Sequence, residues 1–417
     1  MSRPASLSGP VLRLILLIAC AHAMVHVYEL SLPSVEQNIA REFYENDPIA
    51  GKQLTGILST CWRFMWGLGA LIAGWLVDRY GGRLMLAVYL LGCGTLCASV
   101  MGLYSTSSIT IIMLLMGGFA SIYHPAGLAL ISHETDSRDL PRALGLHGIF
   151  GSLGIGATPL AVALVSQFSG DWRTWYAVVA LPSFLLAAIF VWQARNHSKN
   201  KVQRPPVSEY DEDAQAAWRE FWTLVLVAIL QGFIYSAIMS FLPRYLSTTF
   251  QTDANTLVAS TPANDTAAQI TTGNMLASIV LLTGCAGQYL AGWFARPEKL
   301  ERQLTLILFG NTPFLLCMAL AESWFRPVAA GLFALVHFMQ QPVANSLVAK
   351  YTPPERRSLC YGISFGLSLG LGSFGAWFAG YALNDRTVYG TLALVSILAG
   401  TSGLVLMWFS RRKNKPD

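Results

Sequence analysis

The amino-acid sequence predicts an all-α membrane protein with twelve transmembrane helices in two pseudo-symmetric six-helix bundles. The 417 residues are 53% hydrophobic and only 12% charged, whereas roughly 25% of the residues in a soluble chain are charged. The apolar residues fall into long runs, and a helix that crosses a bilayer needs about 20 of them. One long polar segment divides these runs into two sets, and the second set repeats sequence features of the first.

Twelve apolar segments have the length of a membrane span. The first six lie at residues 12–35, 53–77, 84–103, 107–132, 142–167 and 173–194, and the last six lie at 219–246, 270–295, 303–320, 326–349, 357–382 and 387–409. We therefore expect residues 1–194 to form an N-terminal six-helix bundle and residues 219–417 to form a C-terminal bundle with a cytoplasmic tail. The polar residues 195–218 then form a cytoplasmic linker.

The basic residues predict the orientation of the chain in the membrane. Arg63 lies within a span, and six other basic residues lie beside the loops that follow odd-numbered spans, namely Arg41, Lys52, Arg173, Arg244, Arg326 and Arg386. The remaining 21 of the 28 lysines and arginines lie at the termini or beside the other loops. Because lysine and arginine accumulate in cytoplasmic loops, we expect a bacterial inner-membrane protein with both termini in the cytoplasm. The basic loops form no continuous stripe, which argues against nucleic acid as a partner.

The two halves resemble each other at an offset of about 218 residues. The segment AGWLVDRYGGRLMLAVYLLG from Ala73 aligns with AGWFARPEKLERQLTLILFG from Ala291. IYHPAGLALIS from Ile122 aligns with MQQPVANSLVA from Met339. Parallel repeats of this kind are a known plan of transporters, in which substrate binds at mid-depth between two halves that rock around it.

A signature loop follows the second span. Its residues of interest are Gly74, Asp78, Arg79, Gly81 and Arg83. This pattern resembles the signature of the major facilitator superfamily, and the resemblance implies a latch between conformational states at these residues. Gly82 departs from the family pattern, where a second basic residue is common. The repeat copy keeps Gly292 and Arg296 but lacks the aspartate, so any latch there is expected to be weaker.

The fifth span contains a second family pattern. Gly145, Gly154 and Pro159 resemble part of the antiporter motif of proton-coupled drug exporters, although Thr158 stands where glycine is usual. Residues 121–159 are similar to the fosmidomycin-resistance exporters of the same superfamily. This resemblance implies proton-coupled export, whereas ordinary packing of small residues is an alternative interpretation of the same glycines.

Arg63 lies near the middle of the second span. A charge at the bilayer centre costs at least about 2.5 kcal/mol on the insertion scale, and arginine stays protonated. Arg63 therefore needs an anion. The sequence leaves two partners open, which are a carboxylate or phosphate of the substrate and the side chain of Glu29.

His22, His26 and Glu29 share one face of the first span, because they are spaced at i, i+4 and i+7. A carboxylate beside imidazoles can exchange protons near neutral pH, so we predict a proton or substrate site. Two alternatives remain open for these three residues. They could hold a transition-metal ion, although no cysteine joins them, or they could form a hydrogen-bond network between helices. We expect no resident cofactor or metal.

Further polar residues are predicted to line the cavity walls. His124 precedes Pro125 in the fourth span, and Gln341 precedes Pro342 at the equivalent place in the tenth. Both prolines allow bending. His337, Gln341 and Asn345 follow a helical spacing on the tenth span, and Gln231 and Tyr235 on the seventh span are added as candidates opposite the first-span cluster.

Together these patterns predict a secondary active transporter that works by alternating access, and that exports a small anionic or amphipathic compound as an antiporter in exchange for protons. The alternatives are an uptake symporter for an organic anion or metal chelate, a divalent-metal transporter, and a non-transporting membrane receptor. The sequence contains no nucleophile–base pair and no phosphate-binding loop, so no enzyme is expected. The expected partners are a small-molecule substrate, protons and the lipid bilayer, and the expected state is a monomer.

Overall fold

A computed structural model describes residues 9–136, 139–196, 217–250, 263–294, 296–353 and 356–413. Within these ranges the chain is α-helical, with short 3-10 turns and no strand. The first half contains the helices α1 (Gly9–Phe43), α2 (Pro48–Tyr80), α3 (Gly82–Ser99), α4 (Thr106–Ala120), α5 (Tyr123–Glu134), α6 (Leu140–Ser169) and α7 (Arg173–Asn196). Most of the predicted linker, residues 197–216, lies outside the described residues.

The second half contains the helices α8 (Trp218–Ser247), α9 (Ala263–Phe294), α10 (Leu300–Leu320), α11 (Phe325–Phe338), α12 (Gln340–Tyr351), α13 (Arg357–Gly372), α14 (Phe374–Tyr381) and α15 (Asp385–Lys413). In the described residues, eleven helices or nearly continuous helix pairs are long and apolar enough to cross a membrane. The pair α11–α12 is the twelfth span, and its lower hydropathy follows from the polar residues His337, Gln340, Gln341 and Asn345. The predicted all-α fold with twelve spans is confirmed.

The fourth and tenth spans are broken at equivalent places. The break between α4 and α5 lies at Ser121 and Ile122, and the break between α11 and α12 lies at Met339. Each break places a proline, Pro125 or Pro342, at the third position of the helix that follows. A proline is tolerated there because the first N–H groups of a helix have no intrahelical partner. The sequence repeat thus corresponds to the same bend in both bundles.

The two bundles are joined by polar contacts on the side of the membrane where α1 and α8 end, which we call the closed side. Arg244 of α8 donates two hydrogen bonds to the buried carboxylate of Glu36 in α1, at 2.7 and 2.8 Å. Asn274 of α9 donates to the carbonyl oxygen of Ser34 at 2.9 Å. Lys52 of α2 donates to the carbonyl oxygen of Ala382 at 3.0 Å.

Glycines let α2 approach α13 and α14 of the other bundle. A Cβ atom added at Gly67 would lie 2.3 Å from the backbone nitrogen of Gly370. Nearer the closed side, a Cβ atom at Gly56 would lie 2.9 Å from the Cα atom of Gly380. Both obstacles are backbone atoms, which cannot rotate away, so any side chain at these positions would push the two bundles apart.

We expect Gly67→Ala to lower the melting temperature of the purified protein by several degrees, because the added methyl group meets a helix backbone. The matched control is Gly362→Ala on α13, where an added Cβ atom meets nothing within 4 Å. This control should be neutral or slightly stabilising, by up to about 1 kcal/mol. Equal melting temperatures for the two variants would contradict the described packing of α2 on α13.

Candidate substrate and proton site

A buried ion pair joins α1 and α2. Glu29 of α1 is 2% exposed and Arg63 of α2 is 1% exposed. A terminal guanidinium nitrogen of Arg63 donates to Oε1 of Glu29 at 2.5 Å. Of the two partners that the sequence left open for Arg63, a substrate anion and Glu29, the structure shows the contact with Glu29. Both belong to the N-terminal bundle.

Arg63 retains an unused hydrogen-bond donor. Its second terminal nitrogen is buried and has no hydrogen-bond partner among the described residues. A buried donor without a partner costs free energy, and the cost is larger for a charged group. This nitrogen can therefore donate a hydrogen bond to one more anionic or polar oxygen while the bond to Glu29 is kept.

Tyr235 links this pair to the C-terminal bundle. Its hydroxyl group on α8 donates to Oε1 of Glu29 at 2.8 Å. The Arg63 guanidinium lies over the Tyr235 ring, 5.2 Å from the centroid, which is a distance at which cation–π attraction operates. Glu29 accepts a third bond at Oε2, from Nδ1 of His26 at 2.8 Å. The carboxylate thus accepts hydrogen bonds from two helices of its own bundle and from one helix of the other bundle.

Four histidines cluster beside the ion pair. They are His22 and His26 of α1, His124 of α5 and His147 of α6. Nδ1 of His22 is 2.9 Å from the carbonyl oxygen of His147, and the two rings stack with centroids 3.9 Å apart. Nε2 of His147 is 2.7 Å from the Tyr123 hydroxyl group. The cluster is enclosed by aromatic residues of both bundles, including Trp66 and Phe365.

His147 was not among the residues predicted to form the site, although its signal was present in the sequence. His147, Gly151 and Gly154 are spaced at i, i+4 and i+7 on α6, as His22, His26 and Glu29 are on α1. A Cβ atom at Gly151 would lie 2.3 Å from the His22 ring, and one at Gly154 would lie 2.5 Å from the carbonyl oxygen of Ala23. The small residues therefore let one histidine face approach the other.

A metal could be held by a slightly different set from the one that the sequence suggested. One ring nitrogen from each of His22, His26 and His124 lies within 4.8 Å of the others. Glu29, which was the suggested carboxylate ligand, instead accepts hydrogen bonds from His26, Arg63 and Tyr235.

The C-terminal bundle contributes a neutral polar group opposite the ion pair. Asn311 of α10 lies between Gln231 of α8 and His337 of α11, at 3.3 and 3.4 Å. The His337 ring stacks on Tyr235 with centroids 6.2 Å apart. Asn311 was missed by sequence reasoning, and its signal was an amide within an apolar span.

The predicted common face of His337, Gln341 and Asn345 is not continuous, because the helix breaks at Met339. Gln340, rather than Gln341, lies beside His337, with the two side chains 3.2 Å apart. Gln341 and Asn345 are exposed. Gln341 accepts a hydrogen bond from Gln288 of α9 at 2.8 Å.

The signature loop lies on the side of the membrane opposite the closed side. Gly81 has a φ of 87°, a conformation that favours glycine, and its N–H group closes α2 on the Val77 carbonyl oxygen. Arg83 donates to Glu134 of α5 at 2.6 Å. The Arg79 guanidinium lies over Trp75 and Tyr80 of its own helix.

The departure at Gly82 has a packing reason, since a Cβ atom there would lie 3.1 Å from the Ala126 carbonyl oxygen. Asp78 is exposed, and an added Cβ atom at Gly74 would meet nothing within 4 Å. Gly74 and Gly82 therefore differ in the space available to a side chain.

The residues of the partial antiporter motif occupy different environments along α6. A Cβ atom at Gly145 would meet nothing within 4 Å, whereas Gly154 packs on α1. Thr158 donates to the carbonyl oxygen of Gly154 at 2.6 Å. After Pro159, the N–H group of Leu160 donates to the hydroxyl group of Ser278 in α9 at 2.8 Å. This bond crosses between the bundles where the proline interrupts the helix ladder.

Two curated relatives match part of the chain. Over 163 residues it is 23% identical to the nitrate/nitrite transporter NrtP of Nostoc punctiforme, which covers 37% of this chain and 32% of the relative. Over 166 residues it is 29% identical to the puromycin resistance protein pur8 of Streptomyces alboniger, which covers 39% of this chain and 30% of the relative. The matches span about a third of the length of these relatives.

Solved structures match over almost the whole chain. A bacterial homologue of the human lysosomal transporter Spinster, in an inward-facing and unoccupied conformation, superposes with a TM-score of 0.74 at 14% identity, covering 99% of this chain and 100% of the other. The inward-open xylose transporter XylE of E. coli gives 0.71 at 12% identity, covering 96% of both chains. These likenesses concern the fold. A family model described as Major Facilitator Superfamily matches residues 14–363 and 253–417, and the chain therefore belongs to the Major Facilitator Superfamily.

Proposed function

We propose that this chain is a secondary active transporter that moves a small organic anion together with a proton by alternating access, with one chain as the working unit. The observation that carries the proposal is the buried guanidinium of Arg63. It is paired with Glu29 and retains one donor without a partner among the described residues. A fixed cation between two bundles is suited to an anionic substrate.

The ion pair supplies a physical reason for proton coupling. A substrate carboxylate or phosphate that accepts a hydrogen bond from the unpartnered nitrogen of Arg63 shares the single positive charge of the guanidinium with Glu29. A buried carboxylate that loses part of its counter-charge is penalised, and the penalty is relieved when the carboxylate takes up a proton. Anion and proton would then be bound together and would cross together. Without substrate, Glu29 returns to Arg63 and the site carries no net charge.

Proton-coupled export is the second candidate function. The partial antiporter motif and the relationship to the puromycin resistance protein favour it, whereas the relationship to the nitrate/nitrite transporter favours an anion. The packing of Gly154 on α1 gives that glycine a structural role independent of export. For this reason we place cotransport first.

The closed side is proposed to be the periplasmic side, with both termini in the cytoplasm of a bacterial cell. The described conformation is then inward-facing. Asp78 is exposed on the cytoplasmic side, as expected for a latch that is released in this state. When the cytoplasmic side closes, Asp78 would accept hydrogen bonds from the first N–H groups of a neighbouring helix, where the helix dipole favours an anion.

Arg63→Gln should reduce anion binding at least about tenfold, because a hydrogen bond to a charged group contributes about 1.5–3 kcal/mol. Binding is measured as the thermal stabilisation of purified protein by nitrate, malate, citrate and a phosphonate. The control is Arg173→Gln, which removes an arginine paired with Glu42 inside the N-terminal bundle. An anion that stabilises wild type and Arg63→Gln equally would contradict the proposed binding site.

Glu29→Gln should uncouple transport from protons, because glutamine cannot exchange one. In proteoliposomes loaded with a pH-sensitive dye, wild type should acidify the lumen as the stabilising anion enters, and the variant should not. Glu301→Gln is the control, since Glu301 pairs with Lys350 within the C-terminal bundle. Lumen alkalinisation on anion entry would indicate exchange and would favour the export candidate.

Glu36→Gln should open the closed side, because removing one partner of a buried pair costs about 3–5 kcal/mol. Spin labels at Ile49→Cys and Leu383→Cys, in a background without the seven native cysteines, report the distance between the bundles there. We expect a longer and broader distance distribution. The control is Glu42→Gln, which breaks an ion pair within one bundle and should leave the distribution unchanged. A closed side that persists in Glu36→Gln would remove this ion pair from the gate.

A further inference from the structure

His22, His26 and His124 form a compact group of imidazoles within the N-terminal bundle. One ring nitrogen from each lies within 4.8 Å of the others. Three nitrogens around a zinc ion, each at 2.0–2.1 Å, lie about 3.4 Å from one another. Small ring rotations therefore separate the described arrangement from a tridentate site.

The hydrogen bonds of two of these histidines orient them as metal ligands. Nδ1 of His22 faces the carbonyl oxygen of His147 at 2.9 Å, and a carbonyl oxygen can only accept. Nδ1 of His22 must therefore carry the proton, which leaves Nε2 with a free lone pair. The ring also stacks on His147, which restricts its rotation.

The same logic applies to His26. Its Nδ1 atom faces Oε2 of Glu29 at 2.8 Å, and the same carboxylate forms an ion pair with Arg63 through Oε1. Nδ1 of His26 therefore donates, and Nε2 is free. A ligating histidine usually donates its other ring N–H group to a carboxylate or a backbone carbonyl oxygen, which fixes the tautomer. His22 and His26 show one example of each arrangement.

His124 supplies the third ligand. It makes ring contacts with His22, His26, Trp66 and Phe365, but neither ring nitrogen has a hydrogen-bond partner in the part of the chain that the structure describes. The break before α5 places this residue in the first turn of a helix, directly before Pro125. Its imidazole is therefore available to an ion held by the other two.

We propose that His22, His26 and His124 bind a divalent transition-metal ion through ring nitrogens, with Glu29 and the His147 carbonyl oxygen as orienting partners. Three imidazoles without a thiolate suit Zn²⁺, Ni²⁺, Co²⁺ or Cu²⁺. The Glu29 carboxylate lies between His26 and Arg63, so the ion would bind close to the proposed anion. This site does not depend on the proposed anion transport, and it is tested with metal alone.

Isothermal titration of purified, tag-free protein with Zn²⁺ should show one tight site. His22→Ala, His26→Ala and His124→Ala should each weaken it at least about tenfold, and Glu29→Gln should weaken it about 10- to 100-fold through the orientation of His26. The control is His133→Ala, which removes an exposed histidine of the same bundle. It should retain wild-type affinity. Loss of binding in this control, or persistence of binding in the cluster variants, would overturn the proposal.

A measurement on the unchanged protein covers the case in which a variant does not fold. X-ray absorption of the Zn²⁺-loaded protein should show only nitrogen or oxygen ligands, with the multiple scattering of about three imidazoles. Fewer than two imidazoles, a sulfur ligand or the absence of bound zinc would overturn the site. Anion transport that proceeds in metal-free vesicles would leave this result untouched, so the two proposals fail separately.

Discussion

The arrangement of the candidate site depends on the buried pair of Glu29 and Arg63. Removing two charges from water costs several kcal/mol per ion, and their attraction compensates only when the remaining hydrogen-bonding capacity is also satisfied. Glu29 meets this condition with three donors, from Arg63, His26 and Tyr235. Arg63 does not meet it, because one terminal nitrogen lacks a partner among the described residues. The unsatisfied hydrogen-bonding capacity therefore lies on Arg63, and an anion bound there would satisfy it.

The three groups that donate hydrogen bonds to Glu29 come from both bundles. The ion pair is therefore coupled to movement of one bundle relative to the other. Arg63 and His26 belong to the same bundle as Glu29 and would travel with it, whereas Tyr235 belongs to the other bundle. Separation of the bundles at this depth would remove one hydrogen bond to a charged group, worth about 1.5–3 kcal/mol, and would leave the ion pair itself intact. A change of that size alters a two-state population about 10- to 150-fold. The hydrogen bonds that Glu29 accepts and the relative position of the bundles can therefore influence each other.

Several of these features followed from the sequence because the bilayer restricts the alternatives. Hydropathy and length predicted the spans, since backbone groups in lipid must be satisfied within a helix. The scarcity of charge inside the spans left Glu29 as the natural internal partner of Arg63. Helical spacing placed His22, His26 and Glu29 on one face, because α1 is continuous through them. For His337, Gln341 and Asn345 the same spacing crosses the break at Met339, so these three residues do not lie on one continuous helix.

Contacts between helices were harder to predict than faces of single helices. His147 joins the cluster because Gly151 and Gly154 let α6 approach α1, and a spacing pattern alone does not identify the helix that faces it. Asn311 lacked any periodic companion, so nothing in the sequence connected it with Gln231 and His337. A single sequence therefore indicates which residues must be buried, but not which of them meet across a helix interface.

Glu29 contacts the residues proposed to bind the anion and the metal ion, and it is itself the proposed proton site. The binding of each of these three ligands therefore affects the others. A proton on Glu29 would weaken its hold on Arg63, which favours an added anion, and would also change the acceptor that keeps Nδ1 of His26 protonated. An anion and a proton would therefore assist each other, whereas a proton and a metal ion would compete, the first through Glu29 and the second through Nε2 of His26. Both effects pass through the Glu29 carboxylate, and the second bundle reaches that carboxylate through the hydroxyl group of Tyr235.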